Sequence, residues 1–419
     1  MLIFLTLISW IAIVIYTRKL SASVTAGVSL IPEAIPLKLN SQKLADLPAN
    51  SSTNLPSDLP TITVIIPAYN EAENIADCIR AVLDSEQISV NSEQLTVNND
   101  QVSVWVVDDQ STDNTLEIAL ALQQELGDPR LHILAGISRP QGEIWVGKNW
   151  ACHQVTQQLD SDYFLFIDAD VRLKQGAIAA AIEMVETEKL DLLTATPQII
   201  CGCLAEWLVQ PVIMQTIVIG FNFLEVNNPN HPNAFGAGMF MLFRRATYEK
   251  IGGHKTVGAE VVEDVELARL VKSSGYKLRL IPAPTWAKVR MYQSWATLWE
   301  GWTKNMYQSC DRNLSKMLYL VLIMMLIYTL PWLILGLTLW QGFTNGWNTI
   351  ANLTLMINIV IITMQFYLRQ LSREITEIPL RYWWLSGVGG FLLSAIAIGS
   401  VIKTETGWGW TWRGRSLSR

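Results

Sequence analysis

Long apolar runs mark the two ends of this chain, and short β-rich runs alternating with helical ones mark its middle. Residues 2–17 (LIFLTLISWIAIVIYT) are apolar almost without interruption and are followed at once by Arg18 and Lys19. That length is marginal for crossing about 30 Å of hydrocarbon. The basic pair behind it is the pattern of a retained signal anchor. A cleaved leader would carry a basic stretch before its apolar run, and none is present here. Near the other end, 317–340, 350–368 and 382–402 are each apolar for roughly 20 residues, enough to span a bilayer. Pro331 is expected to kink the first of them, which neighbouring helices tolerate. The pattern therefore predicts an N-terminal transmembrane anchor (1–19), a C-terminal transmembrane region (311–403) and a basic, Trp-rich tail (404–419).

Residues 20–60 are rich in Ser, Asn, Leu and Pro without sustained period, a linker composition. From Thr61 the order is TITVIIPAY, EAENIADCIRAVL, VSVWVVDD, STDNTLEIALALQQEL, LHILAG, GKNWACHQVTQQL and YFLFIDAD. This alternation of strand and helix predicts an α/β domain over 61–310 built from parallel βαβ units, with its ligand groups at the carboxyl ends of the strands. Residues 85–91 (SEQISVN) and 92–98 (SEQLTVN) form a tandem heptad, read as a duplicated insertion in a surface loop with no chemistry of its own. The run 204–224 (LAEWLVQPVIMQTIVIGFNFL) is long and poor in charge. It is expected as an in-plane interfacial helix, with a buried core helix as the other reading.

Composition agrees with a chain part membrane and part soluble: of 419 residues, 50% are hydrophobic and 16% charged, with 17 tryptophans. A net charge of -6 excludes a nucleic-acid surface, which needs a basic field. Five cysteines form no CxxC pair, and Cys201-Gly202-Cys203 lacks companion ligands for zinc. If the apolar segments alternate simply, Arg18, Lys19, Arg312, Lys316, Arg369, Arg373 and Arg381 share one side, which is then cytoplasmic and holds the middle region. The same scheme leaves the basic tail on the opposite side, against the rule.

Three acidic pairs carry candidate chemistry. Asp108 and Asp109 close the strand VSVWVV and precede Ser111, Thr112 and Asp113. They suit a metal, a base or a ribose, and equally the capping of the next helix. Asp168 and Asp170 end the run YFLFI, and an i, i+2 spacing in an extended segment points both to one face. Hard oxygen ligands of this kind suit Mg2+ or Mn2+, which retain waters and bridge carboxylates to substrate phosphates. Glu263 and Asp264 open the helical pattern EDVELARLVKSSG. They are favoured there by the helix dipole alone, but Asp264 also has the position of a general base for an acceptor hydroxyl.

Together these segments resemble the inverting family 2 glycosyltransferases with the GT-A fold. The matching stretches are VIIPAYNEAENI (64–75), VVDDQSTDNT (106–115), GKNWA (147–151), FIDADV (166–171), GAGMFMLFRRATYEKIGGH (236–254) and VVEDVELARLVKSSGYKL (261–278). The resemblance implies that Pro67, Ala68, Tyr69 and Glu71 line a nucleotide pocket and that Asp108 and Asp109 hold the base or ribose. It also implies that Lys148 approaches the nucleotide, that Asp168 and Asp170 ligate the metal, and that Asp264 is the catalytic base. Gly236 and Gly238, with Glu263, would form the loop facing donor sugar and acceptor. Membrane-bound members place an Arg-Trp pair after the base, whereas this chain has RMYQSWATLWEGWTKN (290–305) without one. Trp302 would stand in that region, and Lys304 or Arg290 would supply the missing cation. WEGWTKN and TWRGRSL (411–417) resemble bacterial carotenoid- and hopanoid-type lipid glycosyltransferases, although interfacial anchors carry the same residues.

These readings point to transfer of a hexose from a nucleotide diphosphate sugar to a membrane lipid hydroxyl. Two alternatives accompany them: polysaccharide synthesis at the same site, and a non-catalytic membrane scaffold. A nucleotidyltransferase is disfavoured, because PAYNEAEN contains no Gly, Lys or Arg to build a phosphate loop.

Overall fold

A computed structural model describes residues 1–32, 60–85, 89–90, 93–94 and 101–417. They divide into two compact units. One comprises Met1–Leu30, Gln198–Asn228 and Arg290–Arg419, and the other Ile31–Pro197 and Pro229–Val289. The expected continuous domain over 61–310 is thus interrupted, with 198–228 and the stretch after 289 falling in the helical unit. Most of the expected linker lies outside the described residues. Its first part does not: the N-terminal helix α1 runs Leu2–Val28, past residue 19.

The α/β unit is built on a seven-stranded sheet. Its strands are β1 (Ile62–Ala68), β2 (Val102–Asp108), β3 (Leu131–Ala135), β4 (Tyr163–Phe166), β5 (Leu192–Thr196), β6 (Met241–Arg244) and β7 (Leu278–Pro282). Their order is β7-β5-β6-β4-β1-β2-β3. β6 runs antiparallel to its neighbours β4 and β5, and the remaining pairs are parallel. The central strand ITVIIPA is buried at every position, as a parallel strand covered on both faces must be. The connecting helices include α2 (Ile75–Ser85), α3 (Thr115–Leu126), α4 (Gly147–Thr156) and α5 (Ala177–Glu188). They supply the apolar faces that cover the sheet, as Ile75, Ile79 and Val82 do in α2.

Register aligns the carboxyl ends of the strands. Ala68 lies beside Asp108 and Asp108 beside Ala135. The Asp109 amide donates to the Ala68 carbonyl at 2.8 Å, and the Ile167 amide to the Ile65 carbonyl at 3.1 Å. The acidic pairs after β2 and β4 therefore emerge on one edge. Of the tandem heptad, the described part pairs Ser89–Val90 with Glu93–Gln94, and the rest lies outside the described residues.

In the helical unit, and among the described residues, four helical stretches are long and apolar enough to cross a membrane: Leu2–Val28, Leu314–Asn345, Thr349–Thr376 and Trp383–Thr406. They match the expected anchor and three C-terminal spans. The break expected at Pro331 takes the form of a π-helical turn at Met325–Thr329, ending two residues before it. A changed register there absorbs the hydrogen bond that proline cannot make. The run 204–224 forms a helix, α6 (Leu204–Gly220), followed by a separate turn at Phe223–Val226. Its middle, Val209 to Gln215, is buried throughout. That is the enclosed one of the two readings made for it: Gln215 donates to Ser372 at 3.2 Å and Ser23 donates to the Val218 carbonyl at 2.8 Å. Gly389 permits close approach, because a Cβ there would lie 2.3 Å from the Leu208 carbonyl oxygen.

Candidate active site

Asp168 and Asp170 do not stand on an extended segment, contrary to the strand-end expectation. β4 stops pairing at Phe166, and the Val171 amide closes a turn onto the Asp168 carbonyl at 3.1 Å. The chain has to turn here to enter a short strand, Val171–Leu173, that pairs antiparallel with Ala287–Val289. Arg172 braces the turn from within, donating to the carbonyls of Ala169 and Val171 at 3.1 Å each. The charges of Asp170, Glu71 and Asp168 all reach the buried Cys78, whose thiol is pushed up chiefly by burial. The carboxylates after β4 and the Glu71 carboxylate after β1 therefore share one neighbourhood.

The loop after β1 is fastened to the loop after β2. Asn70 adopts a left-handed conformation (φ 54°), which its short polar side chain tolerates. Its side-chain oxygen accepts from the Thr112 amide at 2.8 Å, and its own amide donates to Ser111 Oγ at 3.0 Å. The Glu71 amide donates to Thr115 Oγ1 at 2.8 Å. Pro67 and Ala68 are buried within β1, so they can offer only backbone to a ligand, while Tyr69 and Glu71 are half-buried. Asp108 and Asp109 are each 4% exposed. One Asp108 oxygen accepts from the Ser111 amide at 3.1 Å, and the other is buried without a hydrogen-bond donor. Asp109 faces Arg139 at 3.7 Å.

The remaining predicted residues converge on Lys148. Its Nζ lies 2.6 Å from Asp168 Oδ1 and 2.8 Å from Glu263 Oε1. Helix α4 presents this lysine in its first turn, and helix α7 (Glu263–Ser273) presents Glu263 and Asp264 in its own. One Asp264 oxygen accepts from the Gly238 amide at 3.0 Å and the other from the Val265 amide at 2.9 Å. A Cβ on Gly238 would lie 2.9 Å from Lys148 Nζ, 3.2 Å from Asp264 Oδ2 and 3.7 Å from Asp168 Oδ2. That one vacant methyl position marks where the three charged groups meet. At Gly236 a Cβ would lie 2.2 Å from the Asp264 carbonyl oxygen. The immediate requirement for glycine at 236 is thus the start of α7, not approach of a substrate.

Electrostatics follow from this crowding. Burial works against the Lys148 ammonium, but Asp168, Glu263 and Asp264 outweigh it and hold it charged well above the ordinary lysine range. The Asp264 carboxyl is pushed up to about 7, first by burial and then by the Glu263 charge, with Lys148 pulling the other way. A half-buried carboxylate with that proton affinity is suited to take a proton near neutral pH.

Trp302 and Lys304 belong to the helical unit. Trp302 is buried and donates through Nε1 to Gln210 Oε1 at 2.8 Å, while the Lys304 ammonium lies 4.4 Å from the centroid of the Trp412 ring. Arg290 pairs there with the fully buried Glu206 at 3.2 Å. Sequence reasoning missed three structural residues of the α/β site. Asn149, fully buried, donates to the carbonyls of Val257, Gly258 and Glu260 and so ties α4 to the approach to α7. Arg139 and Arg172 lie in stretches without period, where only Asn149 had a signal, inside the quoted GKNWA segment.

The family described as Glycosyl transferase family group 2 matches residues 163–392, over half of the chain, and Glycosyl transferase family 2 matches residues 63–252. The chain belongs to the family 2 glycosyltransferases. It is similar to the 4,4'-diaponeurosporenoate glycosyltransferase of Staphylococcus aureus, at 26% identity over 248 residues, covering 58% of this chain. The match spans 60% of that relative's length. Among solved structures it is similar to the mannosyltransferase PcManGT of Pyrobaculum calidifontis, in complex with GDP-Man and Mn2+. There the TM-score is 0.51 at 14% identity, with 97% of this chain and 100% of that one covered. The sheet has the GT-A fold, and this member of the glycosyltransferase family has, among its described residues, four helices long enough to span a membrane.

Proposed function

We propose that this glycosyltransferase moves a hexose from a nucleotide diphosphate sugar, UDP-linked, to a hydroxyl of a membrane lipid, with inversion and on the cytoplasmic face. The observation that carries the reading is the meeting of Lys148, Asp168 and Asp264 around Gly238. It brings a carboxylate suited to the donor and a carboxylate suited to deprotonation into one place.

In this reading Asp264 accepts the proton of the acceptor hydroxyl as its oxygen attacks the sugar carbon. Asp108 and Asp109 hold the base or ribose. Lys148, permanently charged, faces the donor's diphosphate. Asp168 and Asp170 would hold Mg2+ or Mn2+. Among the described residues no group of three or more His, Cys, Asp or Glu is arranged to enclose a metal. Two hard carboxylates still fit a cation that takes its other ligands from water and phosphate. When bound, such a cation supplies charge stabilisation to the departing diphosphate.

The lipid acceptor, a carotenoid, hopanoid or other glycolipid precursor, is supported by the name of the Staphylococcus aureus relative and by the four long apolar helices. Processive polymer synthesis has less support, since 290–305 lacks the Arg-Trp pair. Incubating membranes that contain the full chain with UDP-hexose and a divalent cation, then extracting lipids for mass spectrometry, tests the reading. One added hexose per lipid is expected. A polymer, or no new glycolipid with any nucleotide sugar, would overturn it.

A further inference from the structure

We propose that Glu263 is a positioning residue for transfer, holding Lys148 at the junction between Asp168 and the base Asp264. This rests on the reading of Asp264 as the base. A helix-dipole role alone would leave the Glu263 side chain in solvent beside its own first turn. Instead it is 8% exposed and reaches Lys148 on α4 at 2.8 Å. The backbone amide of Val265 at the helix start donates to Asp264.

Helix α4 is also fastened to the stretch leading into α7, by the buried Asn149 amide. The Lys148 ammonium is therefore held between an acid from α7 and an acid from the turn after β4, and a Cβ on Gly238 would lie 2.9 Å from it and 3.2 Å from Asp264 Oδ2. A lysine side chain has four rotatable carbon links. Only its partners fix where its charge sits, and Glu263 is the buried one.

The test uses the full-length protein in detergent with lipid acceptor and nucleotide sugar, comparing Glu263→Gln, Glu263→Asp, Lys148→Met and Glu263→Gln/Lys148→Met. Glu263→Gln is expected to lower kcat/KM at pH 8 by roughly 10- to 100-fold, as loss of an orienting partner does. Glu263→Asp keeps the charge but is too short to hold the lysine, so it should lose turnover as well. Because Glu263 acts through Lys148, the double variant should be no worse than Lys148→Met by more than about threefold. Losses that multiply, or full activity of Glu263→Asp, would each overturn the proposal. Should Glu263→Gln not fold, the Glu263→Asp result decides. Full turnover in Asp264→Asn would instead overturn the base reading itself.

Discussion

Replacing Gly236 by alanine perturbs the backbone of Asp264, the proposed base, without meeting a charged side chain. The added Cβ would sit 2.2 Å from the Asp264 carbonyl oxygen, 2.8 Å from its carbonyl carbon and 2.8 Å from Met241 Cε. A close carbon-oxygen contact is about 3.3 Å, so the overlap is about 1 Å against backbone that cannot rotate away. The start of α7, with Asp264 in it, has to move by that amount. A misplacement of about 1 Å costs on the order of 100-fold in rate, and overpacking costs about 1–3 kcal/mol of stability. Gly238→Ala is the matched control, because its closest contact is the flexible end of Lys148 at 2.9 Å. Its loss should be smaller and weighted toward the donor KM. Initial rates of hexose transfer from labelled donor, with thermal unfolding of each variant, give both numbers. A folded Gly236→Ala enzyme within about threefold of the parent rate would refute the argument that α7 placement sets activity.

Further consequences follow from the same geometry. In the parent enzyme kcat/KM should rise with pH through about 7 as Asp264 loses its proton. In Lys148→Met the lowering influence is gone and the limb should move upward; a downward move would contradict the charge assignment. Asp168→Asn and Asp170→Asn should each weaken Mn2+ binding measured by electron paramagnetic resonance, and unchanged binding would refute the metal ligands. Arg290→Ala leaves the buried Glu206 carboxylate with the amides of Gly202 and Cys203 but no cation. With the half-exposed arginine discounted for solvent screening, about 2 kcal/mol should be lost, visible as a lowered Tm. An unchanged Tm would refute that cost.

Much of this was legible because the signals are local. The apolar runs located the four long helices but not their ends, since α1 continues to Val28 and the third span to Thr376, and the strand-helix alternation predicted the α/β sheet. What escaped was fixed by distant contacts. No local pattern separates 198–228 from the α/β unit, because its membership is decided by packing against helices more than 100 residues away in sequence, as Gln215 with Ser372 illustrates. The turn at Asp168–Val171 was hidden by an apolar run whose pairing stops at Phe166. Glu263 and Asp264 looked equivalent as neighbours at a helix start. Their different partners, an ammonium for one and backbone amides for the other, exist only once α4 and the Gly238 loop are in place.

The most direct test of the central claim is the anomeric configuration of the product. A single displacement with Asp264 as base converts an α-linked donor into a β-linked glycolipid. Proton NMR of the purified product should therefore show inversion, with Asp264→Asn forming none of it. A retained α linkage, or undiminished product from Asp264→Asn, would contradict the account.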